Sequence, residues 1–256
     1  MKKIVTVVGT RPEAIKMFPL IAELKKREGI GCRVLSTGQH SELLESALSE
    51  FGVEPDIRLF TMREGQTLNG LSSRLMQKLP EVLKGEAPAL VLVHGDTTSA
   101  AISALAAFYE QIPVAHIEAG LRTGDMKSPF PEEFNRRLIS LAASLHFAPT
   151  GRAAEALLRE GIPSERIFLT GNTVHDALEY TVRNDYSSPR LEWARGSRLL
   201  LMTAHRRESS GARMREALLG IRDAIISHKD VKAVFPVHPS PSASAVASRV
   251  FGIARE

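Results

Sequence analysis

The stretch Leu90-Val91-Leu92-Val93-His94-Gly95-Asp96-Thr97-Thr98-Ser99 decides the fold. An apolar run of strand length stops at a glycine, passes an acid and enters a helix-compatible segment, Thr97–Tyr109. The pattern then recurs: Pro113-Val114-Ala115-His116-Ile117 is a second apolar run, closed by Glu118. Continuous apolar runs predict strands covered on both faces. A helix between two of them predicts a parallel βαβ unit.

The same rhythm extends outward in both directions. Strands are expected at Lys3–Val8, Cys32–Ser36, Leu90–Val93, Val114–Ile117, Leu145–Ala148, Ile167–Thr170, Arg198–Met202 and Ala233–Pro236. Helices are expected at Pro12–Arg27, His40–Phe51, Leu68–Leu83, Thr97–Tyr109, Glu132–Ala143, Arg152–Glu160, Thr173–Arg183, Ala212–Ser227 and Ala243–Phe251. The class is α/β, with parallel sheets. A boundary is expected near Gly171: residues 1–171 form a first domain carrying the acids, and 172–256 a linker and a second domain. Asn184–Gly196, with Ser187-Ser188-Pro189, is the polar linker. Only about two βα units follow it, fewer than the ~100–200 residues usual for a domain, so the second domain is expected to be incomplete.

Composition narrows the function classes. The chain has 256 residues, 43% hydrophobic and 24% charged, enough for a sizeable core. Its net charge of +4 is spread along the chain with no aromatic-interleaved basic patch. That favours a phosphate-bearing small molecule over nucleic acid. One cysteine, Cys32, excludes an intrachain disulfide and a multi-cysteine metal site. Lys2-Lys3 precede an apolar stretch, but it ends at Val8, too short for a signal peptide. No segment has the length of a membrane span, so a cytoplasmic protein without a membrane partner is expected.

Three acids stand where open α/β sheets place their ligand crevice. Asp96 and Glu118 end strands, and Glu132 opens a helix after Pro129-Phe130-Pro131. Asp96 is also a plausible N-cap for the helix that follows. Glu118 precedes Ala119-Gly120-Leu121-Arg122, where no regular helix needs a cap. Glu132 and Glu133 both suit a helix N-terminus, and Arg136, four residues after Glu132, shares its face or pairs with it. The first strand runs into Gly9-Thr10-Arg11-Pro12-Glu13-Ala14-Ile15-Lys16. Its helix N-terminus, with Arg11 and Lys16, suits a phosphate, although it is neither a Walker A loop nor a dinucleotide fingerprint. His205 and His238 end the two strands of the second domain. His94-Gly95-Asp96 and His116-Ile117-Glu118 repeat a His-x-acid pattern that could hold zinc with His205. Gly95 breaks the extension that would align such ligands, and no metal is expected.

Taken together, GTRPEAIK (Gly9–Lys16), TGQH (Thr37–His40), HGDTTSA (His94–Ala100), HIEAGLRTGD (His116–Asp125), PFPEEFNRR (Pro129–Arg137), TGNTVHDAL (Thr170–Leu178), AHRRES (Ala204–Ser209) and PVHPSP (Pro236–Pro241) carry a resemblance. The chain resembles the bacterial non-hydrolysing UDP-N-acetylglucosamine 2-epimerase family. The resemblance implies a GT-B-like pair of Rossmann-type domains, the second lacking the family's later serine-and-glycine-rich segment. It implies reversible conversion of UDP-N-acetylglucosamine to UDP-N-acetylmannosamine, for polysaccharide biosynthesis, without a cofactor. It assigns the catalytic acids to Asp96, Glu118 and Glu132 and nucleotide contact to Arg11, Arg136 and His205; His205, near the leaving oxygen, is expected to join catalysis, and Lys16, from the segment after the first strand, to join substrate binding. An activating second site would use Gln39, Glu132, Arg206 and His238; Glu42 and Gly65 stand where that site has another Gln and an Arg. The implied partners are a nucleotide sugar and a second copy in a homodimer.

Overall fold

The computed structural model describes residues 1–38, 41–63, 65–203, 212–237 and 241–252. Their contacts divide the chain into two compact units, Met1–Val182 and Arg183–Glu256.

The first unit alternates strands and helices: β1 (Lys2–Val8), α1 (Arg11–Lys26), β2 (Ile30–Ser36), α2 (Ser41–Glu50), β3 (Ile57–Arg58), α3 (Leu68–Glu86), β4 (Leu90–His94), α4 (Thr98–Tyr109), β5 (Val114–Ile117), α5 (Glu132–Ala142), β6 (Leu145–Ala148), α6 (Gly151–Arg159), β7 (Ile167–Leu169) and α7 (Val174–Thr181). Its strands form one sheet in the order β3-β2-β1-β4-β5-β6-β7. Every pairing in it is parallel. The chain winds outward from β1 to β3, then returns to place β4 on the other side of β1. That reversal makes the C-terminal edge between β1 and β4 a topological switch point, where such sheets open a crevice.

Both faces of the sheet are covered, as the apolar runs predict. Val91 and Val93 enter a cluster with α3, α4 and α5, while Leu92 enters one with α1 and α2. In α3, Leu71, Leu75, Leu79 and Leu83 recur at every fourth position, and each is at most 2% exposed. Burying four leucines contributes about 6–12 kcal/mol. The two-residue strand β3 was not expected; Ile57-Arg58 is too short to carry a periodic signal.

The boundary lies after Val182, beyond the Gly171 expected from sequence. Packing explains the difference: α7 docks on α1, and the Tyr180 ring meets Phe18 edge-on at 4.8 Å.

The second unit contains β8 (Arg198–Leu201), α8 (Ala212–Ser227), β9 (Val231–Val234) and α9 (Pro241–Phe251), and β8 and β9 pair in parallel. Met214, Leu218 and Val250 form its small core. The expected linker is partly ordered here. Pro189–Ala194 forms a 3₁₀ turn, and Lys232 donates to the Trp193 carbonyl while lying over the Trp193 ring. Leu199, Leu200 and Leu201 are 48%, 40% and 67% exposed, so β8, unlike β4, is not covered on both faces by the described residues.

Candidate active site

The first unit presents two adjacent polar clusters at the C-terminal ends of β4 and β5. Neighbouring strands lie ~4.8 Å apart, so side chains leaving these ends share one crevice edge.

Glu118 centres the first cluster. Its Oε1 accepts from Lys16 Nζ at 2.6 Å and from Asn172 Nδ2 at 2.6 Å. His94 Nε2 stands 3.7 Å from Oε2. Glu118 has a φ of +63°, in the left-handed region that a non-glycine residue occupies at a cost of ~1–2 kcal/mol. Its counterpart after β4 is Gly95, with a φ of +68°. A glycine solves this turn without strain, whereas β5 spends strain to project a carboxylate from it. Such stored strain concentrates at functional sites. Burial opposes the charge on Glu118. His94, the Lys16 ammonium and the Asn172 amide outweigh burial, so its carboxyl lies below the usual range. Burial pushes the His94 imidazole down to about 4, against the attraction of Glu118, which leaves it neutral at neutral pH.

Asp96 anchors the second cluster. Arg136 donates to Asp96 Oδ2 from both Nε and Nη2, each at 2.9 Å, and from Nη1 to Glu133 Oε2 at 3.0 Å. Asn135 Nδ2 donates to the Asp96 carbonyl at 2.8 Å. Asp96 does not cap α4. Thr97 does, accepting from Ala100 N at 3.0 Å, which leaves the Asp96 carboxylate to the arginine. Arg136 therefore reaches Asp96 and Glu133 and not, as its spacing suggested, Glu132. The Oε2 atom of Glu132, at the start of α5, is buried without a hydrogen-bond partner among the described residues.

Glu133, fully buried, braces the loop between β5 and α5. It accepts from Thr123 N, Gly124 N, Arg136 and Arg137. Burial raises its carboxyl pKa, but these donors lower it further, leaving it below the usual range. Gly120 permits the same loop to cross α6. A Cβ there would fall 2.2 Å from the Ala153 carbonyl oxygen, and its φ is +86°.

A profile of the UDP-N-acetylglucosamine 2-epimerase family matches residues 22–255. The chain is 48% identical over 250 residues to the UDP-N-acetylglucosamine 2-epimerase of Bacillus subtilis, covering 98% of this chain and 66% of that one. It superposes with a TM-score of 0.90 and 41% identity on a UDP-GlcNAc 2-epimerase from Neisseria meningitidis bound to UDP-GlcNAc, covering 99% of this chain and 70% of that one. A Methanocaldococcus jannaschii UDP-GlcNAc 2-epimerase in complex with UDP-GlcNAc and UDP matches at a TM-score of 0.79 and 31% identity, with 97% and 68% covered. The chain belongs to the UDP-N-acetylglucosamine 2-epimerase family. It spans 66% of the length of the Bacillus subtilis relative. The α/β, GT-B-like fold class expected from sequence stands with that match.

Within this family member, the expected residues distribute unevenly. Lys16 joins Glu118, and Arg136 joins Asp96. Arg11 is exposed at the first residue of α1. Gln39, His205, Arg206 and His238 lie outside the described residues. The two His-x-acid repeats are out of register. His94 pairs with Ile117, and Val93 pairs with His116, which puts the two imidazoles on opposite faces of the sheet. His116 instead donates from Nε2 to the Gly95 carbonyl at 2.7 Å, and burial holds its pKa at about 3. Among the described residues, no helix is long and apolar enough to cross a membrane.

Glu13 was missed by the sequence reading. It is 3% exposed, and its Oε2 accepts from Gly9 N at 2.8 Å, Thr10 N at 2.7 Å and Thr10 Oγ1 at 3.1 Å. Its Oε1 accepts from Thr97 Oγ1 at 2.6 Å. The N–H groups of Gly9 and Thr10, just before α1, are thus already taken by Glu13. The capping-box spacing Thr10-Arg11-Pro12-Glu13 was the available signal.

Proposed function

We propose that this chain carries UDP-N-acetylglucosamine 2-epimerase activity of the non-hydrolysing type, interconverting UDP-N-acetylglucosamine and UDP-N-acetylmannosamine. The observation that carries the reading is Glu118, an ionised carboxylate held in left-handed backbone at the crevice edge beside Lys16. The family match supports the substrate.

The C2 hydrogen of the sugar is not acidic, because no carbonyl stands next to it. Departure of UDP breaks the C1–O bond and builds positive charge on the ring, which acidifies that hydrogen. A carboxylate takes the C2 proton, the C–H electron pair forms the C1=C2 double bond, and the C1–O pair leaves with UDP. The product is a 2-acetamidoglucal. Protonation at C2 from the opposite face and return of UDP to C1 invert the centre. The chemistry requires a base, an acid and cations for the leaving diphosphate. We assign proton transfer to the set Asp96, Glu118 and Glu132, with His205 near the leaving oxygen. Glu118 suits the base, since its partners keep it ionised. Asp96 is held by Arg136, so the two act as one positioned unit. The exposed Arg11 is available to the diphosphate, with Arg136 as a second cation. A positioned acid or base contributes about 10²–10⁴-fold in rate.

The test is incubation with UDP-N-acetylglucosamine in D₂O, followed by NMR. The expected outcome is deuterium at C2 in both epimers. Glu118→Gln should abolish that exchange and leave UDP binding nearly intact; normal exchange in this variant would refute the assignment. Release of free N-acetylmannosamine with UDP would mark a hydrolysing enzyme, and UDP binding without exchange a non-catalytic binder. A homodimer is the proposed assembly, and light scattering tests it.

A further inference from the structure

Glu13 is the most deeply buried carboxylate at the switch point and has no part in the proton transfers above. Its four hydrogen bonds link three separate pieces of the crevice edge. Oε2 holds the β1–α1 turn through the Gly9 and Thr10 N–H groups. Oε1 holds the hydroxyl of Thr97, the residue that caps α4 and directly follows Asp96. One turn further along α1, Lys16 grips Glu118. The carboxylate therefore ties the helix bearing Lys16 to the helix cap beside Asp96.

The seam is close-packed. A Cβ on Gly9 would fall 2.6 Å from Thr37 Oγ1 and 2.7 Å from Ser99 Cβ, so β1 and α4 have no slack there. The Gly9 and Thr10 N–H groups can only donate to Glu13, and the Thr10 and Thr97 hydroxyls complete its shell, while burial pushes its carboxyl pKa up against these partners.

We propose that Glu13 is a positioning residue. It satisfies the Gly9 and Thr10 N–H groups of the β1–α1 turn from within and locks α1 to α4, which sets Lys16–Glu118 and Asp96 in one register. The effect on turnover rests on the function proposed above; the bracing of the turn does not.

The experiment compares wild type, Glu13→Ala and Glu13→Gln in the full chain, with and without sodium acetate, which matches the atoms that Glu13→Ala removes. Turnover and melting temperature are both read. Misplacement of a catalytic pair is expected to lower kcat about 10²-fold in Glu13→Ala, with little change in KM. Acetate should restore part of that kcat and raise the melting temperature of Glu13→Ala only. Glu13→Gln should retain most of the kcat, since its carbonyl can face the two N–H groups and its amide Thr97. Wild-type turnover in Glu13→Ala overturns the proposal. So does a folded, inactive Glu13→Ala that acetate neither rescues nor stabilises. Should Glu13→Ala not fold, Thr97→Val and Thr97→Ser decide: the valine must lower kcat and the serine restore it, and equal kcat values overturn the proposal. An inactive wild type would count against the proposed function alone, because acetate-dependent stabilisation of Glu13→Ala remains readable.

Discussion

Replacing Lys16 by Met keeps the aliphatic stem and removes the ammonium that lies 2.6 Å from Glu118 Oε1. An exposed ion pair contributes about 0–1 kcal/mol. Removing one partner of a fully buried pair costs about 3–5 kcal/mol. The Lys16 and Glu118 side chains are 25% and 12% exposed, between these limits. The expected loss is about 2 kcal/mol. Two features bound it: Asn172 still donates to Glu118, and the carboxyl escapes part of the penalty by taking a proton. For a unit of this size, about 2 kcal/mol lowers the melting temperature by about 4–8 °C. The pH dependence is the sharper check. Glu118 is held below its ordinary value of 4.5, so the pair's contribution is present above 4.5 and is lost as pH falls through the lower folded value. Thermal melts of wild type and Lys16→Met should differ fully at neutral pH and converge on the acid side of that range. Equal melting temperatures at neutral pH would refute the reasoning. A gap that does not narrow with acid would refute it too.

Other consequences follow from the same geometry. Arg136→Lys leaves one ammonium to serve Asp96 and Glu133, which the guanidinium spans from opposite edges; turnover should fall about 10²-fold with the fold intact, read by kcat and circular dichroism. Gly120→Ala combines left-handed strain with a Cβ driven into the Ala153 carbonyl and should cost about 2–5 kcal/mol in urea unfolding. Glu133→Gln strips charge from a buried group with two arginine partners, for about 3 kcal/mol at neutral pH. Because the Glu133 carboxyl is also held below 4.5, that deficit should shrink in acid, as chemical denaturation across pH would reveal.

Much of the first unit was legible because its signals are local. The runs at β1, β4 and β5 are mostly apolar, and strands buried on both faces leave that mark in the sequence. The placement of Asp96 and Glu118 at strand ends followed from the same runs. The strain at Glu118 was not legible, since a positive φ in a non-glycine residue has no composition of its own. Asp96 was the expected cap, but Thr97 caps α4 while Arg136, forty residues on, holds the acid. The boundary moved from Gly171 to Val182 because α7 has an apolar partner in α1, and docking between helices is not a property of either alone.

The order of residues alone established a parallel α/β chain, the strand ends that carry acids and the family motifs, because periodicity and short-range spacing encode these directly. Tertiary structure alone decided which charges meet. Lys16 and Glu118 are separated by 102 positions, and Glu13 and Thr97 by 84. Their pairing depends on strand order and register, through which β1 and β4 become neighbours, and no local pattern records that adjacency.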